Sequence, residues 1–227
     1  MKKRWWILGA VVVVILAFLV GPWVYGTFIV EDDDPAASLS TEGAQAATGT
    51  LDGNWTVTAG SGANTTAAGY TVDENLNGAH NRVVGSTPDV TGTATVDGEE
   101  LTAADVTVQV STITTDVSIR DQMFRDNILD TGTFPTATFA LSSPVDLSDL
   151  PTDGSVGEVT AEGTLTLDGQ SRPVSVDMDV LHSGDNLIAS GSVPVTWTDF
   201  GVQPPSLGFV TVEDHGTVDF LVCLSHS

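Results

Sequence analysis

The segment 111–139 holds the residues whose types and spacing come closest to a chemical site. It contains Asp121 and two of the four basic residues that follow position 30, Arg120 and Arg125. On a helix, Asp121 and Arg125 would be four residues apart on one face, which predicts a structural ion pair. A guanidinium here could instead hold a pyrophosphate or a quinone oxygen, because its planar fork donates two parallel hydrogen bonds. The residues leave both interpretations open.

The other residue types that support catalysis or metal binding are scattered. No serine lies in a Gly-x-Ser-x-Gly elbow, so a serine nucleophile is not indicated. The single cysteine, Cys223, has no cation beside it in the sequence to activate it, which predicts an inert thiol. The four histidines lack the spacing of metal ligands: His80, His182, His215 and His226. We therefore expect neither an enzyme nor a metalloprotein.

The charge distribution excludes one class of function. Residues 31–227 hold four arginines, no lysine and all 30 acidic residues, which leaves a formal net charge of −26. Nucleic-acid binding requires clustered cations to neutralise phosphates, so nucleic acid is not an expected partner. Acidity of this kind is typical of a highly soluble surface.

The first 30 residues have the pattern of a membrane anchor. Lys2, Lys3 and Arg4 precede an uncharged run, 5–30, that is long enough to cross a bilayer as a helix. Positive charge before the span predicts a cytoplasmic N-terminus and an extracytoplasmic C-terminal domain. The alternative is a cleaved signal peptide, but 23–28 offers no small-x-small cleavage site. We therefore predict a single-pass cell-membrane protein with one N-terminal transmembrane helix.

A spacer and one folded domain follow the predicted anchor. Residues 31–50 are rich in Asp, Ala, Ser and Thr, which predicts a flexible linker. From 51 to 227 apolar and polar residues alternate, as in strands with one dry face. The predicted strands are 54–59, 68–73, 90–97, 105–113, 136–141, 156–167, 173–181, 186–197 and 212–224. So many short strands indicate a sandwich or a closed barrel, and composition does not choose between them.

Three motifs resemble hallmarks of a known family, the YceI-like proteins. The first joins Ser-Thr-Ile-Thr-Thr at 111–115 to Arg120-Asp121, Arg125 and the Phe-Pro segment 133–139. The second is 163–174, a strand and turn that lead into Arg-Pro-Val, and the third is Thr-Asp-Phe-Gly-Val at 198–202. Their order and spacing agree with the family over roughly 51–224. Met123 stands where the family often has a histidine, so a histidine contact to a polar head group is not expected.

The resemblance implies an all-β fold: an antiparallel eight-stranded lipocalin-like β-barrel with a short helical segment. Family members are extracytoplasmic and bind long isoprenoid chains in the barrel interior, with no catalysis and no cofactor beyond the bound lipid or quinone. The predicted ligand-binding residues are the helical ones, which are placed to cap the barrel, and apolar ones on the strands: Arg120, Met123, Phe124, Ile128, Leu129, Phe134, Phe139, Val176, Met178 and Phe220.

The sequence thus predicts a membrane-anchored extracytoplasmic binding protein for a polyisoprenoid or a similar long-chain lipid. The alternative is a structural or protein-interaction domain whose interior is filled by its own side chains. Burial of Met123 or Phe124 would look the same in both cases, so the sequence does not separate them. It also leaves open whether two copies form a homodimer.

Overall fold

The structure, a computed structural model, describes residues 38–206 and 208–227, and strands make up most of these residues. The strands are β1 Gly53–Thr58, β2 Gly60–Ser61, β3 Asn64–Thr65, β4 Ala67–Leu76, β5 Ala79–Thr87, β6 Val90–Asp97, β7 Glu100–Gln109, β8 Thr136–Leu141, β9 Val145–Asp146, β10 Val156–Leu167, β11 Gln170–Ser183, β12 Asn186–Thr196 and β13 Val210–His226. The helical segments are α1 Ser118–Met123, the π-helical turn Phe124–Ile128, and the 3₁₀ turns Val110–Thr112 and Trp197–Phe200.

Eight of these strands form a closed antiparallel barrel in the order β1-β6-β7-β8-β10-β11-β12-β13. The ring closes because β13 pairs back with β1, where Leu224 lies opposite Val57. Closure leaves these strands without the exposed edges that promote aggregation. The predicted eight-stranded barrel with one short helix is confirmed.

The last strand, β13, is long enough to have two different neighbours along one edge. Its final residues pair with β1, while Val210 to Leu221 pair with β4. A shift of register between Val212 and Gly216 interrupts the second pairing, and such irregularities bend a strand. The hairpin of β4 and β5 therefore extends the barrel wall beyond β1 at one end.

Tight turns set the register of the hairpins. Asp168 and Gly169 have φ angles of 49° and 72° and join β10 to β11, as the sequence predicted. Asn77 and Gly78, with φ angles of 52° and 87°, join β4 to β5 in the same way. Positive φ at both central residues gives a hairpin turn whose twist matches that of the strands.

Several strands differ from their predicted bounds, and the short strands β2, β3 and β9 were not predicted. The strand β5 was missed altogether. The strand β7 begins at Glu100 instead of Asp105 and ends at Gln109, because the chain then turns as a 3₁₀ helix. That early end allows the chain to leave the barrel wall and form α1.

One half of the barrel interior is filled by side chains, and we call it the closed half. Trp55 is fully buried there and donates a hydrogen bond from its indole nitrogen to the Leu51 carbonyl (2.9 Å). The aliphatic side chains of Val96, Val180 and Leu224 are also buried in this core. The core at this end therefore comes from inward-facing residues of several strands, as strand alternation requires.

A second, smaller core lies on the outer face of the barrel. Leu39 and Ala44 pack against Leu181, Ile188 and Leu221, and Cys223 belongs to the same cluster. We call residues 38–48 the strap, because they run along the barrel and cover this cluster.

Hydrogen bonds hold the strap in place. The Ser40 amide donates to Asn64 Oδ1 (2.9 Å), and the Thr48 amide donates to the Gly184 carbonyl (3.0 Å). The predicted linker, 31–50, thus lies against the barrel from residue 38 on.

The predicted anchor, residues 1–30, lies outside the described residues. Among the residues that are described, no helix is long and apolar enough to cross a membrane.

Candidate apolar ligand site

A cavity of about 390 Å³ occupies the half of the barrel opposite the closed half. Its buried wall includes Val72 and Val83 from the β4–β5 hairpin, Ala137 from β8 and Leu165 from β10. We call this the open half. Small-molecule pockets in proteins usually enclose roughly 300–1,000 Å³ and have mostly apolar walls. The cavity is thus large enough for a slender apolar ligand.

The rim of the cavity is also apolar and partly in solvent. Ile119 on α1 and Phe209 before β13 both line the cavity, yet they are 66% and 57% exposed. Pro204 and Pro205 continue the rim between them and the 3₁₀ turn Trp197–Phe200. Large apolar side chains that face the cavity on one side and solvent on the other are typical of an opening, or mouth, through which an apolar ligand can pass.

The helix α1 and the π-helical turn form a lid over the cavity. They place Met123, Phe124 and Ile128 on its wall, and Leu129 follows directly after the turn; Phe124 and Leu129 are buried. At the far end of the lid, the Asp130 amide donates to Asp168 Oδ1 in the β10–β11 turn (3.3 Å). The lid is therefore attached to the end of the barrel that it covers.

Three aromatic rings meet under the lid. The Tyr70 ring stacks on Phe124 with centroids 5.1 Å apart, and it meets Trp197 edge-on at 6.3 Å. Both contacts are geometries that aromatic pairs prefer. The trio needs glycine beside it, because a Cβ on Gly216 would lie 2.6 Å from the Trp197 ring.

The predicted ion pair between Asp121 and Arg125 is wrong. Asp121 is buried, and its Oδ1 accepts hydrogen bonds from the Thr115 amide and hydroxyl, both at 2.8 Å. Arg125 lies in the π-helical turn, where the Leu129 amide donates to the Phe124 carbonyl five residues back. That wider turn removes the four-residue stacking of an α-helix. Asp121 therefore ties α1 to the preceding loop instead.

Arg120 lies on the cavity wall and is held by two carboxylates. Its Nη1 donates to Asp116 and to the Thr115 hydroxyl (3.3 Å), and its Nη2 donates to Glu74 Oε1 (3.3 Å). The Arg120 and Glu74 side chains are only 19% and 12% exposed. They are the only charged side chains on the part of the cavity wall that the structure describes.

The predicted ligand-binding residues fall into two groups in the structure. Five line the cavity: Arg120, Met123, Phe124, Ile128 and Leu129. Five do not. Phe139, Val176, Met178 and Phe220 pack in the hydrophobic core, and Phe134 is 40% exposed beside the β10–β11 turn. Ligand contact stays a prediction for all ten.

Sequence reasoning did not single out several wall residues. Tyr70, Val72 and Val83 lie on the β4–β5 hairpin, and Trp197 lies in a 3₁₀ turn that was assigned to the preceding strand. The Asn77-Gly78 dipeptide is a strong hairpin signal and would have placed β5 opposite β4. No comparable signal marks Trp197 as part of the wall.

The closed half ends in a dry aromatic cluster around His182. His182 is 1% exposed, and neither ring nitrogen has a hydrogen-bond partner among the described residues. Its ring meets Trp55 edge-on at 6.2 Å. Burial lowers the pKa of His182, the nearby His226 lowers it further, and Asp185 opposes them. Within residues 38–206 and 208–227, no group of three or more His, Cys, Asp or Glu side chains is placed to hold a metal ion.

The barrel, the lid and the cavity define a class of closed antiparallel β-barrels with an apolar bore. Residues 37–224 match the family model for the YceI-like domain, so the chain belongs to the YceI-like family. The resemblance carried by the three sequence motifs is confirmed.

Curated relatives carry the name UPF0312 protein. The one from Shewanella oneidensis is 29% identical over 130 residues, which cover 53% of this chain and 64% of the relative. A relative from Shewanella putrefaciens has the same identity and coverage. The matched region is thus less than two thirds of the relatives' length.

Two solved structures share the fold. BcnA of Burkholderia cenocepacia is 20% identical with a TM-score of 0.54, covering 69% of this chain and 95% of BcnA. A polyisoprenoid binding domain from Saccharophagus degradans, implicated in plant cell wall breakdown, is 14% identical with a TM-score of 0.56, covering 76% of this chain and 98% of that domain. At these identities the likeness concerns the fold.

Proposed function

We propose that this chain binds a polyisoprenoid or a similar long-chain lipid in its cavity and carries or stores it unchanged. The observation that carries the proposal is the cavity, with an apolar rim and a described wall in which Glu74 and Arg120 alone are charged. An apolar chain that enters it leaves water, and each buried methylene contributes about 0.8 kcal/mol. No cofactor and no chemical step are part of the proposal.

The open half favours this function over a self-filled structural domain. Side chains around a void lose dispersion contacts that a filled interior would give them. An occupant of the cavity would restore those contacts. Membership of the YceI-like family supports the same reading, and the Saccharophagus degradans domain of the same fold is described as polyisoprenoid binding.

We further propose that residues 1–30 anchor the chain in the cell membrane and that the barrel lies outside the cytoplasm. The support is the sequence alone: a basic start, then an uncharged run long enough to span a bilayer. Anchoring would keep the barrel near the lipids that it carries.

The test is extraction of lipid from the purified full-length chain, followed by mass spectrometry. We expect an isoprenoid lipid to co-purify in an amount comparable to the protein. Ala137→Phe should abolish it, because Ala137 lines the cavity and a phenyl ring would fill the space. Ala103→Phe makes the same change at an exposed position of β7 and should retain the lipid.

Two results would overturn the proposed carrier function. One is the absence of lipid from the wild-type chain together with no thermal stabilisation by added polyprenols. The other is equal lipid recovery from the wild-type chain and from a folded Ala137→Phe variant.

A further inference from the structure

We propose that the cavity takes isoprenoids with an uncharged, hydroxyl-bearing end and rejects the phosphorylated forms of the same chains. This inference rests on the proposed carrier function and adds the class of head group. It follows from the side chains that surround Arg120 at the cavity wall.

Arg120 is not arranged as a receptor for an anion. Its guanidinium already donates to both Asp116 and Glu74, so the group it belongs to carries one positive and two negative charges. A phosphate-binding arginine needs donors that are not already neutralised by carboxylates. Here a phosphate would meet a local excess of negative charge in a poorly solvated place, where charge interactions are strong.

Displacement of Glu74 by a phosphate would not remove this problem. Glu74 is 12% exposed on a wall whose other described side chains, apart from that of Arg120, carry no charge. Without its contact to Arg120, its carboxylate would stay buried and unpaired beside a new anion, which is costly. Arg120 therefore acts as the counter-charge that permits Glu74 to lie at the cavity, and Asp116 holds the same guanidinium from outside the wall.

The second carboxylate oxygen of Glu74 can accept a hydrogen bond from a ligand. Oε1 of Glu74 receives the hydrogen bond from Arg120, whereas the second oxygen accepts none from the residues that the structure describes. A carboxylate oxygen can be satisfied only by a donor. A hydroxyl at the end of an isoprenoid chain is such a donor and brings no charge with it.

The remaining charges of the domain act in the same direction. From residue 38 on, the chain carries four arginines, no lysine and 26 acidic residues. Arg82 is paired with the exposed Asp73, and neither Arg82, Arg125 nor Arg172 is on the cavity wall. An approaching phosphate is repelled by the field of the whole domain, and salt screens that repulsion.

The experiment is a competition between two ligands that differ only in the head group. The full-length chain is incubated with equal amounts of geranylgeraniol and geranylgeranyl phosphate and re-isolated, and both bound ligands are quantified. The folded Ala137→Phe variant measures non-specific uptake. We expect the wild-type chain to retain the alcohol over the phosphate by at least about tenfold, and added salt to raise the share of the phosphate.

Variants assign the selection to the carboxylates. Glu74→Gln should bring the ratio of bound alcohol to bound phosphate close to one. Asp116→Asn should also lower this ratio, and it is the second variant to use if Glu74→Gln does not fold. Asp73→Asn is the matched control, because it removes the same charge one residue away on an exposed side chain. It should leave the ratio unchanged.

The outcomes separate the two proposals. Equal or preferential retention of the phosphate by the wild-type chain overturns the head-group inference and leaves the carrier function standing. No retention of either ligand above the Ala137→Phe background overturns the carrier function and the inference with it. A wild-type preference that both carboxylate variants preserve overturns the role of Glu74 and Asp116.

Discussion

The two halves of the barrel interior use the same alternation of residues for opposite purposes. In the closed half, Trp55 is fully buried and reaches the edge of His182. In the open half, Trp197 and Tyr70 lie on the wall of a cavity. The difference lies in the wall, because β1 pairs with β13 at one end and the β4–β5 hairpin takes its place at the other. One fold can thus have a filled core and an open cavity in a single bore.

The largest expected effect comes from Trp55→Ala in the closed half. Removing a fully buried indole leaves a cavity that the strands cannot close, which should lower the free energy of unfolding by about 3–5 kcal/mol. Urea unfolding followed by circular dichroism measures it. Trp197→Ala should cost clearly less, because that ring already faces empty space. Equal losses of unfolding free energy in the two variants would show that the two halves of the barrel are packed equally tightly.

A matched pair of valines, one in the core and one on the cavity wall, tests the difference between the two halves with a smaller change in stability. Val176 is 2% exposed in the core and away from the cavity, whereas Val72 lines the cavity wall. We expect Val176→Ala to cost about 2 kcal/mol, from lost burial plus a new void, and Val72→Ala about 1 kcal/mol. The same urea titration applies to both. A larger loss for Val72→Ala would mean that the open half is the tighter-packed one.

The closed half should also make stability depend on pH through His182. Burial lowers the pKa of this imidazole below its ordinary value of 6.5. Between 6.5 and the lowered pKa the unfolded chain binds more protons than the folded one, so stability falls as the pH drops through this window. The slope is at most about 1.4 kcal/mol per pH unit.

Unfolding of the wild-type chain, His182→Gln and the control His80→Gln is compared between pH 8 and the onset of carboxylate protonation. His182→Gln should remove this slope, whereas His80→Gln, at an exposed position, should keep it. If the slope survives His182→Gln, the pH dependence has another source.

The smallest effect on stability is expected at the mouth. Phe209 is 57% exposed, so Phe209→Ser should change the free energy of unfolding by less than about 0.5 kcal/mol. The same variant should retain less co-purified lipid, since it makes the apolar rim polar. A loss of stability above about 1 kcal/mol would show that the rim belongs to the core.

Much of the fold could be predicted because alternation and turn residues agree in this chain. The bounds of β6, β8 and β10 match the predicted ones. The strand β5 was missed because its inward positions, among them Asn81, Gly85 and Thr87, do not read as a hydrophobic face. Alternation identifies inward residues only when they are apolar.

The candidate site could be predicted in part. Lid residues such as Phe124 and Leu129 were identified because they stand out at helical spacing in an otherwise β chain. The partners of Asp121 and Arg120 were not identified. Arg125 falls in a π-helical turn, which changes the residues that share a face with Asp121, and Glu74, the partner of Arg120, lies on a strand that is distant in the sequence. Which half of the bore stays open depends on how rings cross between strands, and such tertiary contacts leave no local pattern.

The outer core beneath the strap has a consequence for measuring how the domain opens. Cys223 is buried there, its Sγ lies 3.4 Å from the Asn64 carbonyl, and burial raises the pKa of its thiol. Asn64 in turn holds the strap through Ser40. Alkylation of this single thiol therefore requires the strap or the β2–β3 hairpin to detach, while the bore can fill and empty behind an intact wall. The rate of thiol labelling therefore measures how often the outer layer opens. It should not change when a ligand enters or leaves the cavity through the mouth.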